Sequence, residues 1–174
     1  MSADAPAERH RADAVVTGLV ERGLTVATAE SLTAGLIAAT LVTVPGASAT
    51  VRGGLITYAT DLKAALAGVD PDLLARAGAV DPEVAEQMAR GAARVCRADL
   101  GLACTGVAGP EPQDGKPVGL VFLALAHVGG TAVVEHRFTG GREKIRRATV
   151  QAAIALLADH LRSRGESEFA VNRP

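Results

Sequence analysis

Two β-rich runs, residues 118–128 and 132–138, are joined by Gly129, Gly130 and Thr131. A join this short and glycine-centred signals a hairpin, so the two runs lie antiparallel. The remainder of the chain alternates helical and strand patterns, which favours strands brought together through crossover helices. A hairpin within such a chain predicts a mixed sheet. The expected class is a single-domain, three-layer α/β/α sandwich.

Residues 7–22 carry apolar positions at helical spacing and stop at Gly23. Residues 24–40, LTVATAESLTAGLIAAT, read as a strand, a turn holding Glu30 and Ser31, and a small-residue helix beginning near Leu32. Residues 51–60 are β-rich, and their paired glycines suggest a bulge or close backbone approach. Helices are expected over 61–69, 71–78 and 81–97, the last with Asp81 as cap and Pro82 at its first position. Residues 100–104 read as a buried strand entering a glycine-containing loop through Pro117. A final helix over 142–162 carries the apolar stripe Ile145, Ala148, Ala152 and Ala155. Flexible tails are expected at 1–6 and 165–174, flanking a domain over 7–164.

With one Tyr, three Phe and no Trp, the core has to be built from Ala, Val and Leu, and base-stacking platforms are nearly excluded. A formal charge of −1 gives no global field for nucleic acid or an anionic membrane, so neither is an expected partner. No run approaches the roughly eighteen apolar residues of a membrane span. Cys96 and Cys104 lack paired zinc spacing, and with no secretory signal they point to a reduced, cytoplasmic setting. His10, His127, His136 and His160 show no ligand spacing with Cys or acidic residues, so no metal is expected. Small-residue helices suit packing against a second copy, and a homo-oligomer is expected.

Four loops combine polar groups at strand ends or helix starts, where ligands collect in open α/β sheets: AESLTAG, TYATDLK, TGVAGPEPQDGKP and TGGREKIRR. Ser31, arriving from a strand at a helix start, suits a nucleophile or an anion clamp equally, while capping serines far outnumber catalytic ones and a simple N-cap is the commoner role. The chain has fifteen arginines but only Lys63, Lys116 and Lys144, so a lysine is a notable choice here. Lysine, unlike arginine, loses its proton when buried, and Lys63 is a candidate base for Ser31 as well as a candidate solvated charge. Tyr58 either orients that pair or packs at a strand end. Residues 105–110 offer backbone N–H groups to a phosphate or form an ordinary turn. Arg142, Arg146 and Arg147 crowd a helix N-terminus, where cations are disfavoured, so either an anion sits among them or Glu143 pairs with them.

Taken jointly, TAESLTAG, GGLITYATDLK, AGVDPDLLARAGAV, TGVAGPEPQDGKPVGLVFLAL and FTGGREKIRR resemble the CinA C-terminal-domain family, the PncC nicotinamide-nucleotide amidases, in the family's order. The resemblance implies hydrolysis of nicotinamide mononucleotide to nicotinic acid mononucleotide and ammonia, with no cofactor. It puts Ser31 at the nucleophile's position, Lys63 at the base's and Tyr58 beside them. It places Glu30, Thr33 and Gly35 of the first motif, Thr105, Gly106 and Gly109 of the loop, and Arg142 among the groups that hold the mononucleotide. Many members read ESCTGG where this chain reads ESLTAG, so Leu32 and Ala34 are departures beside the nucleophile. They keep open a rival reading as a non-catalytic nucleotide-binding or regulatory module. Activities of the nucleotide-binding domain in longer CinA proteins are not carried over.

Overall fold

The computed structural model describes residues 5–171, with side chains over 10–163. Its elements are α1 (Ala5–Glu21), β1 (Val26–Glu30), α2 (Leu36–Val42), β2 (Val51–Ile56), α3 (Thr60–Ala67), α4 (Pro71–Ala77), α5 (Pro82–Cys96), β3 (Leu100–Gly106), β4 (Leu120–His127), β5 (Gly130–Arg137) and α6 (Arg142–Val171). Of the two expected tails, residues 1–4 and 172–174 lie outside the described residues. Ala5 and Pro6 belong to α1, and α6 continues beyond Arg164 to Val171. That extension crosses Gly165 but no proline, and one interior glycine costs about 1 kcal/mol without ending a helix.

The strand order is β2-β1-β3-β4-β5. β1 pairs parallel with β2 and β3, whereas β3–β4 and β4–β5 are antiparallel. The sheet is thus mixed, as the hairpin required. His127 pairs with Gly130, so the hairpin turn itself is Val128-Gly129, one position earlier than the glycine pattern suggested. The chain leaves β1 toward β2 on one side and the later strands build outward from the other. This reversal puts a crevice at the carboxyl ends of β1 and β3.

Side-chain alternation divides the core into two layers. Leu100, Leu102 and Cys104 of β3, with Val121, Leu123 and Leu125 of β4, pack under α1, α2 and α6. Ala103 of β3 and Phe122, Ala124 and Ala126 of β4 face α3, α4 and α5. The second layer is alanine-rich, so its helices approach very closely. A Cβ on Gly101 would stand 1.9 Å from the Ala89 carbonyl oxygen of α5, and one on Gly91 would stand 1.9 Å from the Ala67 oxygen of α3. Those glycines press α5 against both the sheet and α3. The β2 glycines serve differently. Register slips between Val26 and Ala27, which pair with Val51 and Gly53 and leave Arg52 as the extra residue of a bulge.

Candidate active site

The carboxyl ends of β1, β2 and β3 deliver three loops to one crevice, and α6 closes it from the side. A cavity of about 400 Å3 lies there, lined among others by Ser31, Tyr58, Lys63, Thr105, Gly109 and Arg142. This is the size of an ordinary small-molecule pocket.

Ser31 follows β1 directly and is nearly buried; its N–H donates to the Cys104 carbonyl at 3.1 Å. It does not cap α2, contrary to one sequence reading. Helix α2 begins at Leu36, with Gly35 as its N-cap residue. Ala34 and Gly35 adopt φ of 51° and 98°, and two successive left-handed residues form a turn where a helix start near Leu32 was expected. The N-terminus of α2 is capped instead by the Glu30 carboxylate. Its Oε2 accepts from the Gly35 N–H at 2.9 Å, the Ile37 N–H at 3.0 Å and the Thr33 hydroxyl at 2.7 Å. Its Oε1 accepts from the Ala38 N–H at 2.8 Å and the Thr28 hydroxyl at 3.1 Å. The fully buried charge is stabilised by these five donors and the positive pole of the helix.

Glu30, Thr33 and Gly35, implied as substrate contacts, are therefore committed to one another, and none of the three lines the cavity. Beneath them Cys104 is fully buried, its Sγ 3.0 Å from Thr33 Oγ1. Burial, together with the charge of Glu30, pushes its thiol up to about 11, so it stays protonated at neutral pH.

Lys63 sits on the inward stripe of α3 with Ala67, one turn further on. Only 1 % of it is exposed. Its Nζ stands 3.1 Å from Ser31 Oγ and donates to the Thr57 carbonyl at 2.7 Å. Among the described residues no carboxylate forms an ion pair with it. Burial without a countercharge pulls its pKa from 10.5 down to about 8, opposed in part by Cys104. A dry amine that reaches neutrality near physiological pH, in hydrogen-bond reach of a serine hydroxyl, has the attributes of a general base beside its nucleophile.

Tyr58 stands at the end of β2 with its hydroxyl outward and does not orient the Ser31–Lys63 pair. It is 55 % exposed, and its hydroxyl accepts from Arg142 at 2.8 Å rather than meeting Ser31 or Lys63. Arg142 also donates to the Gly109 carbonyl at 2.8 Å. The two residues thus join the loops after β2 and β3 to the start of α6, across the mouth of the cavity. Thr105 and Gly106 line the inner wall. The Thr105 hydroxyl donates to the Ala79 carbonyl at 2.6 Å, and a Cβ on Gly106 would stand 2.7 Å from the Leu120 oxygen. Both shape the wall from β3.

The remaining two arginines of the cluster are satisfied within the chain. Arg146 donates to the Leu32 carbonyl at 2.9 Å and the Thr33 carbonyl at 3.2 Å, and Arg147 pairs with Glu143 at 2.9 Å. Glu111 and Gln113 were not singled out from sequence, yet both line the rim. Gln113 closes a small turn by pairing with Lys116 around Asp114 and Gly115, at φ of 50° and 72°, and Glu111 lies two residues before it. The Asp-Gly pair was the available signal for that turn.

The family description "CinA C-terminal domain" matches residues 8–161. This chain belongs to the CinA C-terminal-domain family. Among curated relatives, a "CinA-like protein" of Frankia casuarinae is 47 % identical over 158 residues, 90 % of this chain and 36 % of the relative. Another from Geobacter sulfurreducens is 52 % identical over 145 residues, 83 % of this chain and 34 % of the relative. The chain therefore spans about a third of the length of the curated relatives it matches. Among solved structures, the competence/damage inducible protein CihA from Agrobacterium tumefaciens is 41 % identical. It superposes with a TM-score of 0.85 over 89 % of this chain and 95 % of that one. A CinA superfamily protein from Klebsiella pneumoniae gives 0.86 at 31 % identity, over 90 % and 98 %.

In this CinA domain no group of three or more His, Cys, Asp or Glu able to hold a metal occurs among the described residues. No helix among them is long and apolar enough to cross a membrane.

Proposed function

We propose that this CinA domain is an amidohydrolase converting nicotinamide mononucleotide to nicotinic acid mononucleotide and ammonia. The observation that carries the reading is the 3.1 Å approach of the buried Lys63 amine, unpaired with any carboxylate among the described residues, to Ser31 Oγ. Neutral Lys63 takes the hydroxyl proton as Oγ bonds to the carboxamide carbon, and the carbonyl electron pair moves onto oxygen. The Lys63 ammonium then returns a proton to the amide nitrogen, the C–N bond breaks, and ammonia departs. Lys63 next removes a proton from water as the water oxygen bonds to the ester carbon; the C–Oγ bond then breaks, the Lys63 ammonium returns the proton to Ser31 Oγ, and the acid product leaves as its carboxylate.

Oxyanion stabilisation does not come from the α2 terminus, whose N–H groups Glu30 already engages. The Leu32 N–H directly follows the nucleophile and has no acceptor among the described residues; it is the group nearest in the chain for that role. Arg142 at the mouth, with the backbone of residues 105–109, would hold phosphate and ribose, fixing position rather than making bonds. The free thiols of Cys96 and Cys104 accord with a cytoplasmic, reducing setting.

Purified protein given the mononucleotide should release ammonia, and Ser31→Ala should lower turnover by about 10³-fold or more while retaining nucleotide binding. Calorimetric binding by the wild type with no ammonia would instead support the regulatory reading that Leu32 and Ala34 left open. Undiminished turnover in Ser31→Ala would remove the serine from the chemistry.

A further inference from the structure

We propose that Arg146 is a positioning residue for the nucleophile, acting through the backbone that follows Ser31. The inference rests on the reading of Ser31 as the attacking group. Residues 31–35 belong to neither β1 nor α2, and their internal backbone bonds are few. The Ala34 N–H donates to the Ser31 carbonyl at 3.1 Å and the Leu36 N–H to the Thr33 carbonyl at 3.2 Å. Glu30 holds the far end of this segment and Cys104 its beginning. Between those two anchors lies Leu32, whose carbonyl has Arg146 Nε at 2.9 Å as its one partner among the described residues.

The second arm of the same guanidinium reaches the Thr33 carbonyl at 3.2 Å, and its third nitrogen meets Glu143 at 3.1 Å. A planar fork that engages two successive carbonyls fixes the rotation of the two peptides on either side of Thr33, which a single flexible ammonium does less well. The held Leu32–Thr33 peptide is joined through Leu32 Cα to the Ser31–Leu32 peptide, which carries the Leu32 N–H. Arg146 also lies one helical turn from Arg142, so one face of α6 meets the mouth of the cavity and the nucleophile segment together. The arginine crowding at the start of α6 is thereby explained by backbone carbonyls for Arg146 and a carboxylate for Arg147, with no anion needed for either.

Ser31 reactivity is best read directly, by the second-order rate of labelling with a fluorophosphonate probe at pH 8. Arg146→Met is expected to lower that rate roughly 10–100-fold, the scale of a small misplacement of reacting groups. Its kcat for the mononucleotide should fall in parallel while KM changes little, and added guanidinium ion should restore part of the labelling rate. Arg146→Lys is expected to fall between the two. A folded Arg146→Met, or an Arg146→Lys if the former does not fold, that labels within twofold of wild type overturns the inference.

Wild-type protein that labels at Ser31 but leaves the mononucleotide intact refutes the substrate assignment alone, since the labelling comparison still reads Arg146. Wild type inert to the probe and the nucleotide alike refutes the nucleophile, and this inference with it.

Discussion

Replacing Lys63 by Met should separate what the amine does for chemistry from what it costs the fold. The pKa falls from 10.5 to about 8 on burial. At about 1.4 kcal/mol per pH unit, carrying the charge at pH 7 costs the folded state about 3 kcal/mol relative to the unfolded chain. The sign follows from proton uptake. Between about pH 8 and 10.5 the unfolded chain holds the Lys63 proton more tightly than the folded one, so wild-type stability rises with pH across that window.

Met fills nearly the same volume without the charge, but it leaves the Thr57 carbonyl without its 2.7 Å donor, a loss of about 1–2 kcal/mol. Lys63→Met should therefore be more stable than wild type by about 1–2 kcal/mol at pH 7 and less stable by a similar amount near pH 10.5. Urea unfolding of both proteins at matched pH values reads the difference, in which other titrating groups cancel. The variant should have no amidase activity, and wild-type kcat/KM should rise with pH through about 8 as the base becomes neutral. A stability difference that stays within about 0.5 kcal/mol across this range would refute the claim that Lys63 is a desolvated amine.

Three other perturbations test the supports around that amine. Glu30→Gln presents an amide group to a site built from five donors and should cost about 3 kcal/mol or more in urea unfolding. Gly91→Ala places a Cβ 1.9 Å from the Ala67 oxygen. It should destabilise by about 3 kcal/mol and, because α3 carries Lys63, lower kcat as well. Arg142→Gln should raise KM for the mononucleotide by about tenfold or more while leaving the phosphate-free nucleoside nearly unaffected, measured by ammonia release.

The architecture was legible because its signals are local and repeated. Helix and strand periodicities alternate, Pro82 after Asp81 marks the start of α5, and the glycines of residues 128–131 force an antiparallel pair. The start of α2 was not legible, and the reason is specific. Ser is a favoured cap, so Ser31 before an alanine-rich run looks like one. The actual cap is a carboxylate from the end of the preceding strand, reaching N–H groups five to eight residues ahead. Such a cap depends on the left-handed turn at Ala34 and Gly35, which no helical periodicity records. Glu30, which the family resemblance put among the substrate contacts, spends its carboxylate on that cap.

The same distinction separates the residues that sequence alone could bring to the cavity from those whose partners it could not supply. Lys63 could be chosen because lysine is scarce and because only its protonation can change usefully on burial; both arguments concern the residue alone. Tyr58 and Arg146 required knowledge of what stands opposite them. A phenol at a strand end has several possible partners, and α6 brings Arg142 to it from 84 positions away in the chain. Crowded arginines call for acceptors, but backbone carbonyls satisfy a guanidinium as a phosphate does. Composition supplies the demand for an acceptor and leaves its identity open. In this domain the fold answers with the Leu32 and Thr33 carbonyls for Arg146 and leaves Arg142 at the cavity mouth. That makes Arg142, bound among the described residues to a tyrosine hydroxyl and one carbonyl, the arginine of the three best placed to exchange its partners for an incoming anion.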